Sequence, residues 1–348
     1  MMETKIIVWR SAADDHVLKE AADALKRGEL VAFPTETVYG LGADALNPVA
    51  CKAIYEAKER PGDNPLIVHV DTPSAISTYT DIPNLSLFTH LAHAFMPGPL
   101  TVILPKKTVI SDEVTAGLGT VAMRCPSNGV AHALLRMAGI PVAAPSANTS
   151  GRPSPTTAQH VIDDLFGKIP YIIDGGNCQV GLESTIVLPH ESENSVTLLR
   201  PGGITVEDLY TVCEKVYLDQ ALQGRLQSDA QPLAPGMKYR HYAPKSPMTG
   251  VVGEDRNVRS FFTQKLKNGF GVLCFDEDVP FLPESDKLIT LGGKREYDKQ
   301  AQDLFACLRR FDVMDVSAIY TRVPEDDSLG LAVKNRLLKA CAFTVLAV

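Results

Sequence analysis

The chain has 348 residues, of which 45% are hydrophobic and 22% charged, a composition that fits a globular fold and excludes collagen-like, disordered and coiled-coil chains. Its 34 Lys and Arg against 41 Asp and Glu leave a formal charge of −7, so there is no diffuse basic field to hold RNA or DNA non-specifically. At roughly 100–200 residues per domain, the length predicts two domains, each with its own core.

The opening MMETKIIVWR lacks the charged-then-apolar order of a secretory signal. No apolar run reaches the roughly 18 residues of a membrane span, so a cytoplasmic location without membrane partners is expected. Ser11 to Gly28 reads as one amphipathic helix, with Ser11 as cap, Asp14 and Asp15 at the positive end, and Val17, Leu18, Ala21 and Leu25 on one face. A short buried strand, Leu30 to Phe33, runs into a loop at Pro34. A second helix is expected from an Asn47 cap with Pro48 in first position to about Lys58. Strand-like runs follow at PLIVHV, PLTVILP, TVAMRC and IPVAAP, interleaved with helical stretches near Leu85 to Phe95 and Val130 to Ala138. YIID, STIVLP and VTLLR continue the pattern before a helix opened by Thr205. The alternation predicts a mixed α/β domain over residues 1–216.

From 217 to 246 the chain turns polar and Pro-rich, and a linker of about thirty residues is expected; loops of that length in compact proteins tend to be functional or disordered. From 247 to 348, strands (GVLCF, KLITL, VSAIYT) alternate with helices (Val258 to Lys267, Tyr297 to Phe311, Leu329 to Phe343). That βαβ rhythm predicts a small Rossmann-like domain with a parallel sheet. The seven cysteines are at least 33 positions apart, which offers neither a metal pair nor a redox dithiol and reads as reduced structural thiols. Split by domain, the acidity lies in residues 1–216, with 16 basic and 24 acidic side chains, against 18 and 17 in the remainder. An anionic ligand of the first domain would have to meet a few placed cations.

The chain has no phosphate-loop, dinucleotide-binding, nucleophile-elbow or zinc-protease motif. His90 and His93 form an H-x-x-H pair without a third ligand nearby, and a surface or core role is the simpler reading. Four polar clusters remain. FPTETVYGLG sets Thr35, Thr37 and Tyr39 after a strand beside two glycines, as a ligand loop or a plain turn would. In KERPGDNPLIVHV, Lys58, Arg60 and Asn64 precede a strand carrying His69; they suit phosphate oxygens, though loop cations are also commonly just solvated. Arg124 ends one strand, and Ser146, Asn148, Ser150 and Ser154 crowd the loop after the next. Ser184 and Thr185 begin a strand and Arg200 ends another. Each cluster alone is compatible with turn chemistry. Together they indicate a polar cleft for a phosphorylated small molecule and a second, smaller polar partner.

At these residues the chain resembles the threonylcarbamoyl-AMP synthase family, built on a YrdC-like domain. The resemblance spans 1–216 through FPTETVYGLG, the K-x-R-x-x-x-NPL segment, PGPLT, the strand ending in Arg124, APSAN-x-SG, GLESTIV and LLRPGG. APGMKYRHYAP and the domain after it resemble the longer, two-domain members. The resemblance implies a nucleotidyltransferase that takes L-threonine, bicarbonate or CO2, and ATP to threonylcarbamoyl-AMP and pyrophosphate, for threonylcarbamoylation of tRNA adenosine. It also implies a magnesium ion carried by the ATP phosphates, and downstream tRNA-modifying proteins as recipients. By motif position, Lys58, Arg60 and Asn64 would meet the triphosphate, Lys58 and Arg60 acting in catalysis. Thr120, Ser146, Asn148, Ser154, Arg200, Arg240 and Tyr242 would lie on the nucleotide side, and Thr35, His69, Arg124 and Ser184 would hold threonine. Tyr239, Arg240, His241 and Tyr242 would belong to a lid over the cleft, with a passive tether as the alternative. Two rival functions are an RNA-binding module using the cleft, against which the acidic domain and the lack of interleaved aromatic and basic residues argue, and a carbamoyl-phosphate-using enzyme, whose zinc-finger segments have no counterpart in a chain without a C-x-x-C pair.

Overall fold

The computed structural model describes residues 2–82, 86–222, 224, 232–235 and 241–348. The chain forms two units: Met1–Ser150 with Ser154–Lys238, and Gly151–Pro153 with Tyr239–Val348. The stretch 217–246, expected to be a linker, is thus shared between them.

The strands of the first unit are β1 (Lys5–Val8), β2 (Val31–Phe33), β3 (Gly40–Asp44), β4 (Ile67–His69), β5 (Leu100–Pro105), β6 (Thr120–Arg124), β7 (Val142–Ala143), β8 (Tyr171–Asp174), β9 (Thr185–His190), β10 (Ser195–Arg200) and β11 (Lys215–Leu218). They form one 11-stranded mixed sheet in the order β1-β8-β2-β3-β7-β4-β6-β5-β9-β10-β11. Helices Lys19–Lys26 and Gly129–Ala138 pack their apolar faces with Ile7, Val31, Phe33, Val142 and Ile173 of the sheet. Helix Pro48–Lys58 starts where the Asn47 side chain accepts from the Val49 and Ala50 amides, at 3.0 and 3.2 Å, and stops at Glu59 in the left-handed region.

Several elements depart from expectation. The single helix over Ser11 to Gly28 is a 3-10 helix, Ala12–Leu18, followed by an α-helix, Lys19–Lys26. Asp14 reaches back to the amides of Arg10 and Ser11 at 2.9 and 3.0 Å, and winding begins with a tight Asp14-to-Ser11 backbone bond. Strands β1, β3 and β11 and the helix Ala158–Leu165 were not among the expected elements. β3, GLGAD, is poor in strand formers and owes its conformation to antiparallel pairing with β2, Phe33 opposite Gly40. Its Gly42 is there for space: a Cβ would stand 2.8 Å from both the Phe33 ring and Val142.

The second unit has a parallel sheet of β12 (Met248–Val252), β13 (Gly271–Cys274), β14 (Leu288–Thr290), β15 (Ile319–Arg322) and β16 (Val345–Ala347), in the order β14-β13-β15-β12-β16. Helices Asp255–Lys267, Tyr297–Phe311 and Gly330–Ala340 provide crossovers, as a βαβ rhythm requires. Gly151–Pro153 is held within this unit by Arg309 Nη2 donating to the Pro153 carbonyl at 2.6 Å and by Arg152 pairing with Asp312 at 3.0 Å. All seven cysteines are buried and unbridged. No helix among the described residues is long and apolar enough to cross a membrane.

Gly202 follows β10 with its α-carbon against the start of β9; a Cβ there would lie 2.4 Å from the Glu183 carbonyl oxygen and 2.4 Å from the Thr185 amide nitrogen. Backbone on both sides cannot yield as a flexible side chain can. Gly202→Ala is expected to cost about 2 kcal/mol or more in thermal or chemical unfolding, whereas Gly119→Ala, with nothing near its Cβ position, should leave stability within about 0.5 kcal/mol.

Candidate active site

Strand register brings the polar residues together. His69 at the end of β4 pairs with Arg124 at the end of β6, Arg124 with Thr101 of β5, Thr101 with Ile186 of β9, and Ile186 with Arg200 at the end of β10. Residues paired in register project from the same sheet face. Residues far apart in sequence thus form one row, and a bulge between Leu198 and Arg200 sets the final position.

Arg124 and Arg200 are both buried. Arg124 Nη2 donates to Glu36 Oε1 at 2.7 Å and its Nε to the Gly98 carbonyl at 3.4 Å. Arg200 donates from Nε to the Ser184 carbonyl at 3.0 Å, from Nη2 to Ser184 Oγ at 3.1 Å and from Nη1 to the Pro235 carbonyl at 3.3 Å. The Ser184 and Thr101 hydroxyls lie 2.7 Å apart. Arg200, Ser184 and Thr101 therefore form a connected polar chain that ends beside Arg124 in register. Thr35, also buried, organises its own turn: Oγ1 donates to the Val38 carbonyl at 2.7 Å and lies 2.8 Å from Thr37 Oγ1. Tyr39 is used structurally, its hydroxyl donating to the Gly176 carbonyl at 2.6 Å.

A second group gathers at the C-terminus of helix Pro48–Lys58. Lys58 Nζ is buried and donates to the backbone carbonyls of Ser146 and Asn148, at 2.5 and 2.6 Å, while the Ser150 amide donates back to the Lys58 carbonyl at 2.9 Å. Burial, followed by the neighbouring Arg60 charge, holds its pKa well below the ordinary lysine value. Arg60 Nη2 donates to the Asn64 and Pro65 carbonyls at 3.0 and 3.1 Å. Asn64 is buried, and its Oδ1 accepts no hydrogen bond among the described residues. The structure thus brings Lys58, Ser146 and Asn148 together, with Arg60 and Asn64 in the adjoining loop. Ser154 is buried and donates to Glu183 Oε1. Thr120 opens β6 opposite Pro105.

The other expected residues fall in or beside the linker. Tyr239 and Arg240 fall outside the described residues. Tyr242 belongs to the second unit, where its ring stacks on Phe305 at 5.2 Å and lies under Arg336 at 5.7 Å; His241 lies beside it, ring centres 5.6 Å apart. The linker does reach the site-bearing face of the first unit. Ala221 and Ala234 are buried among Ile67, Ile103, Ala122, Ile186 and Leu199, of which Ile67, Ala122 and Ile103 alternate with His69, Arg124 and Thr101 and so share their face.

Sequence reasoning passed over Glu36, Glu183 and Thr101. Both acids stand within the motifs whose hydroxyls carried the site reading, FPTETVYGLG and GLESTIV. That was the available signal, obscured when acids were counted only as bulk charge.

His69 is buried, its ring edge-on to Phe33 at 6.4 Å, with Nδ1–H donating to the Ile67 carbonyl at 3.1 Å. Burial, and then the Arg124 charge, pushes its pKa from 6.5 down to about 3. The folded state carries a neutral imidazole that the unfolded chain protonates below about pH 6.5. Stability linked to this group is therefore complete above pH 6.5 and falls as the pH drops toward 3, by up to about 1.4 kcal/mol per unit. Unfolding midpoints between pH 7 and 4 should decline less steeply for His69→Gln than for the unmodified protein.

A family model described as "Telomere recombination", covering the Sua5, YciO and YrdC proteins, matches residues 23–202. A second, described as "Threonylcarbamoyl-AMP synthase, C-terminal domain", matches 204–342. The threonylcarbamoyl-AMP synthase of Bacillus subtilis is 42% identical over 96% of this chain and 96% of its own length. That of Pyrococcus abyssi is 40% identical over 99% and 100%. The crystal structure of Pyrococcus abyssi Sua5 complexed with L-threonine superposes with a TM-score of 0.90 at 40% identity, covering 99% of this chain and 100% of that one. With both units matched and the relatives aligned from end to end, the chain belongs to the threonylcarbamoyl-AMP synthase family in its two-domain form.

Proposed function

We propose that the protein condenses L-threonine, bicarbonate or CO2, and ATP into threonylcarbamoyl-AMP, releasing pyrophosphate, and passes the product to proteins that modify tRNA adenosine. The observation that carries this reading is the pair of buried guanidiniums, Arg124 and Arg200, set on one sheet face on either side of the Thr101 and Ser184 hydroxyls. A buried arginine away from solvent is suited to an anionic group of fixed geometry, and this reaction brings two anions together. The threonine amine becomes a carbamate, and a carbamate oxygen attacks the α-phosphorus. The site must hold both substrates and stabilise the departing pyrophosphate.

Arg124 takes the threonine carboxylate, with Thr35, His69 and Ser184 as neutral neighbours. A neutral His69 adds no second positive charge there and leaves the carboxylate to the guanidinium. Lys58, Arg60 and Asn64 meet the triphosphate, with Thr120, Ser146, Asn148, Ser154 and Arg200 on the nucleotide side. Lys58 is poised for an anion, since phosphate oxygens beside the buried amine favour its charged form. The donors proposed for the triphosphate are lysine, arginine and asparagine, and no group of three or more His, Cys, Asp or Glu among the described residues is disposed as a metal cage. Magnesium accordingly arrives as part of the MgATP substrate, liganded by phosphate oxygens.

The linker serves as a lid. Ala234 is fully buried on the site-bearing face, and the Pro235 carbonyl accepts from Arg200, which supports a covering role. A cover over the sheet excludes water from a mixed anhydride that hydrolysis would destroy. Tyr239, Arg240, His241 and Tyr242 continue this segment.

Pyrophosphate release by the purified protein should require ATP, L-threonine and bicarbonate together, and release that persists without threonine or bicarbonate would reject the reaction. In calorimetry, Arg124→Ala is expected to weaken threonine binding by about 2–3 kcal/mol, roughly 30- to 150-fold, with a smaller effect on ATP. Ala234→Lys, which cannot be buried among Ile67, Ala122 and Ile186, should raise the fraction of threonylcarbamoyl-AMP lost to hydrolysis per pyrophosphate formed; an unchanged ratio would support a passive tether.

A further inference from the structure

Glu36 has no role in the scheme above, yet it is the most unusual acid in the first unit. It stands between Thr35 and Thr37 on the turn that joins β2 to β3, is 2% exposed, and is held in place from behind by the Val180 amide donating to its backbone carbonyl at 2.7 Å. Oε1 receives Arg124 Nη2 at 2.7 Å; Oε2 is buried and accepts no hydrogen bond among the described residues. A buried carboxylate oxygen without a donor costs roughly 1–3 kcal/mol or more, so this vacancy needs a reason. Arg124 is also incompletely used: its bonds come from Nε and Nη2, and Nη1 makes none among the described residues.

The two half-used groups form an ordered dipole. The guanidinium offers donors to an anion, and the carboxylate beside it has a donor for Oε1 but none for Oε2 among the described residues. The pair carries no net charge, and its neighbours do not alter that. The thiol of Cys125 is pushed up to about 12 by burial, that of Cys178 is raised further by the same cause, and His69 is neutral. A ligand with only a negative charge would satisfy Arg124 and leave Glu36 Oε2 facing it without a donor, which buried sites tolerate poorly. A zwitterion satisfies both ends at once.

We infer that Glu36 is a substrate-binding residue that receives the α-ammonium group of the amino acid through its unpartnered Oε2, while Arg124 takes the α-carboxylate, so that the pair selects an α-amino acid over the corresponding hydroxy acid. The inference rests on the proposed reaction, in which threonine is the smaller substrate. It gives that site a discrimination of a kind hydroxyl contacts with Thr35 and Ser184 do not supply, since the threonine side-chain hydroxyl is present in amino and des-amino compounds alike. Rejection arises from the buried oxygen left without its donor.

Calorimetry of the full-length protein with L-threonine and with 3-hydroxybutanoate, its des-amino analogue, tests this directly. The unmodified protein is expected to bind threonine at least about 30-fold more tightly than the analogue. Glu36→Gln, which keeps a carbonyl oxygen for Arg124 and removes the charge, should lower threonine affinity by about tenfold or more while leaving the analogue and ATP unchanged. A residue that only props Arg124 in place would lose threonine and analogue by the same factor, and that result overturns the inference. Equal binding of the two compounds by the unmodified protein overturns it as well, without any variant that must fold. Should the unmodified protein bind no threonine at all, the proposed reaction fails along with it, whereas normal threonine binding by Glu36→Gln removes the inference alone.

Discussion

Burying positive charge inside an acidic domain is the constraint on which the rest of the first unit depends. Lys58, Arg124 and Arg200 are each at most 4% exposed, and withdrawing such ions from water costs several kcal/mol each unless partners are prearranged. The partners differ. Arg124 has a carboxylate, Arg200 has a carbonyl, a hydroxyl and the Pro235 carbonyl, and Lys58 has the backbone carbonyls of Ser146 and Asn148 and, at 3.5 Å, the Asn148 side-chain oxygen. The surrounding architecture supplies these groups at fixed positions, which explains why polar loops crowd the strand ends.

The compensation is graded in a way that suits chemistry on anions. Lys58, paired with neutral carbonyls and depressed by burial, gains most when phosphate oxygens arrive. In the proposed scheme Arg124, already paired with Glu36, takes a carboxylate without presenting a net positive site. Arg200 is tied to the linker segment through the Pro235 carbonyl. The three cations thus differ in how each is neutralised.

Much of this was legible in the residues, and the failures have identifiable causes. The Asn47 cap, Pro48 and the run to Lys58 state a helix completely because capping is local chemistry. β3 could not be read, since GLGAD acquires its extended form from pairing with β2, an interaction between segments. Glu36 was hidden for a related reason: its acid chemistry is plain in FPTETVYGLG, but its meaning depends on Arg124, which lies 88 positions away along the chain.

The sequence by itself determined the mixed α/β class, the two-domain organisation and the acidity of the first domain, because composition, caps and short motifs act within a few residues. Only the tertiary structure decided which polar groups meet. The row His69, Arg124, Thr101 and Arg200 is a consequence of strand order and register, the placing of Ala234 over it is a consequence of packing, and Tyr242 stacks in the second unit on Phe305. Hydrogen-bond register and burial are properties of distant segments brought together, and no window along the chain contains them.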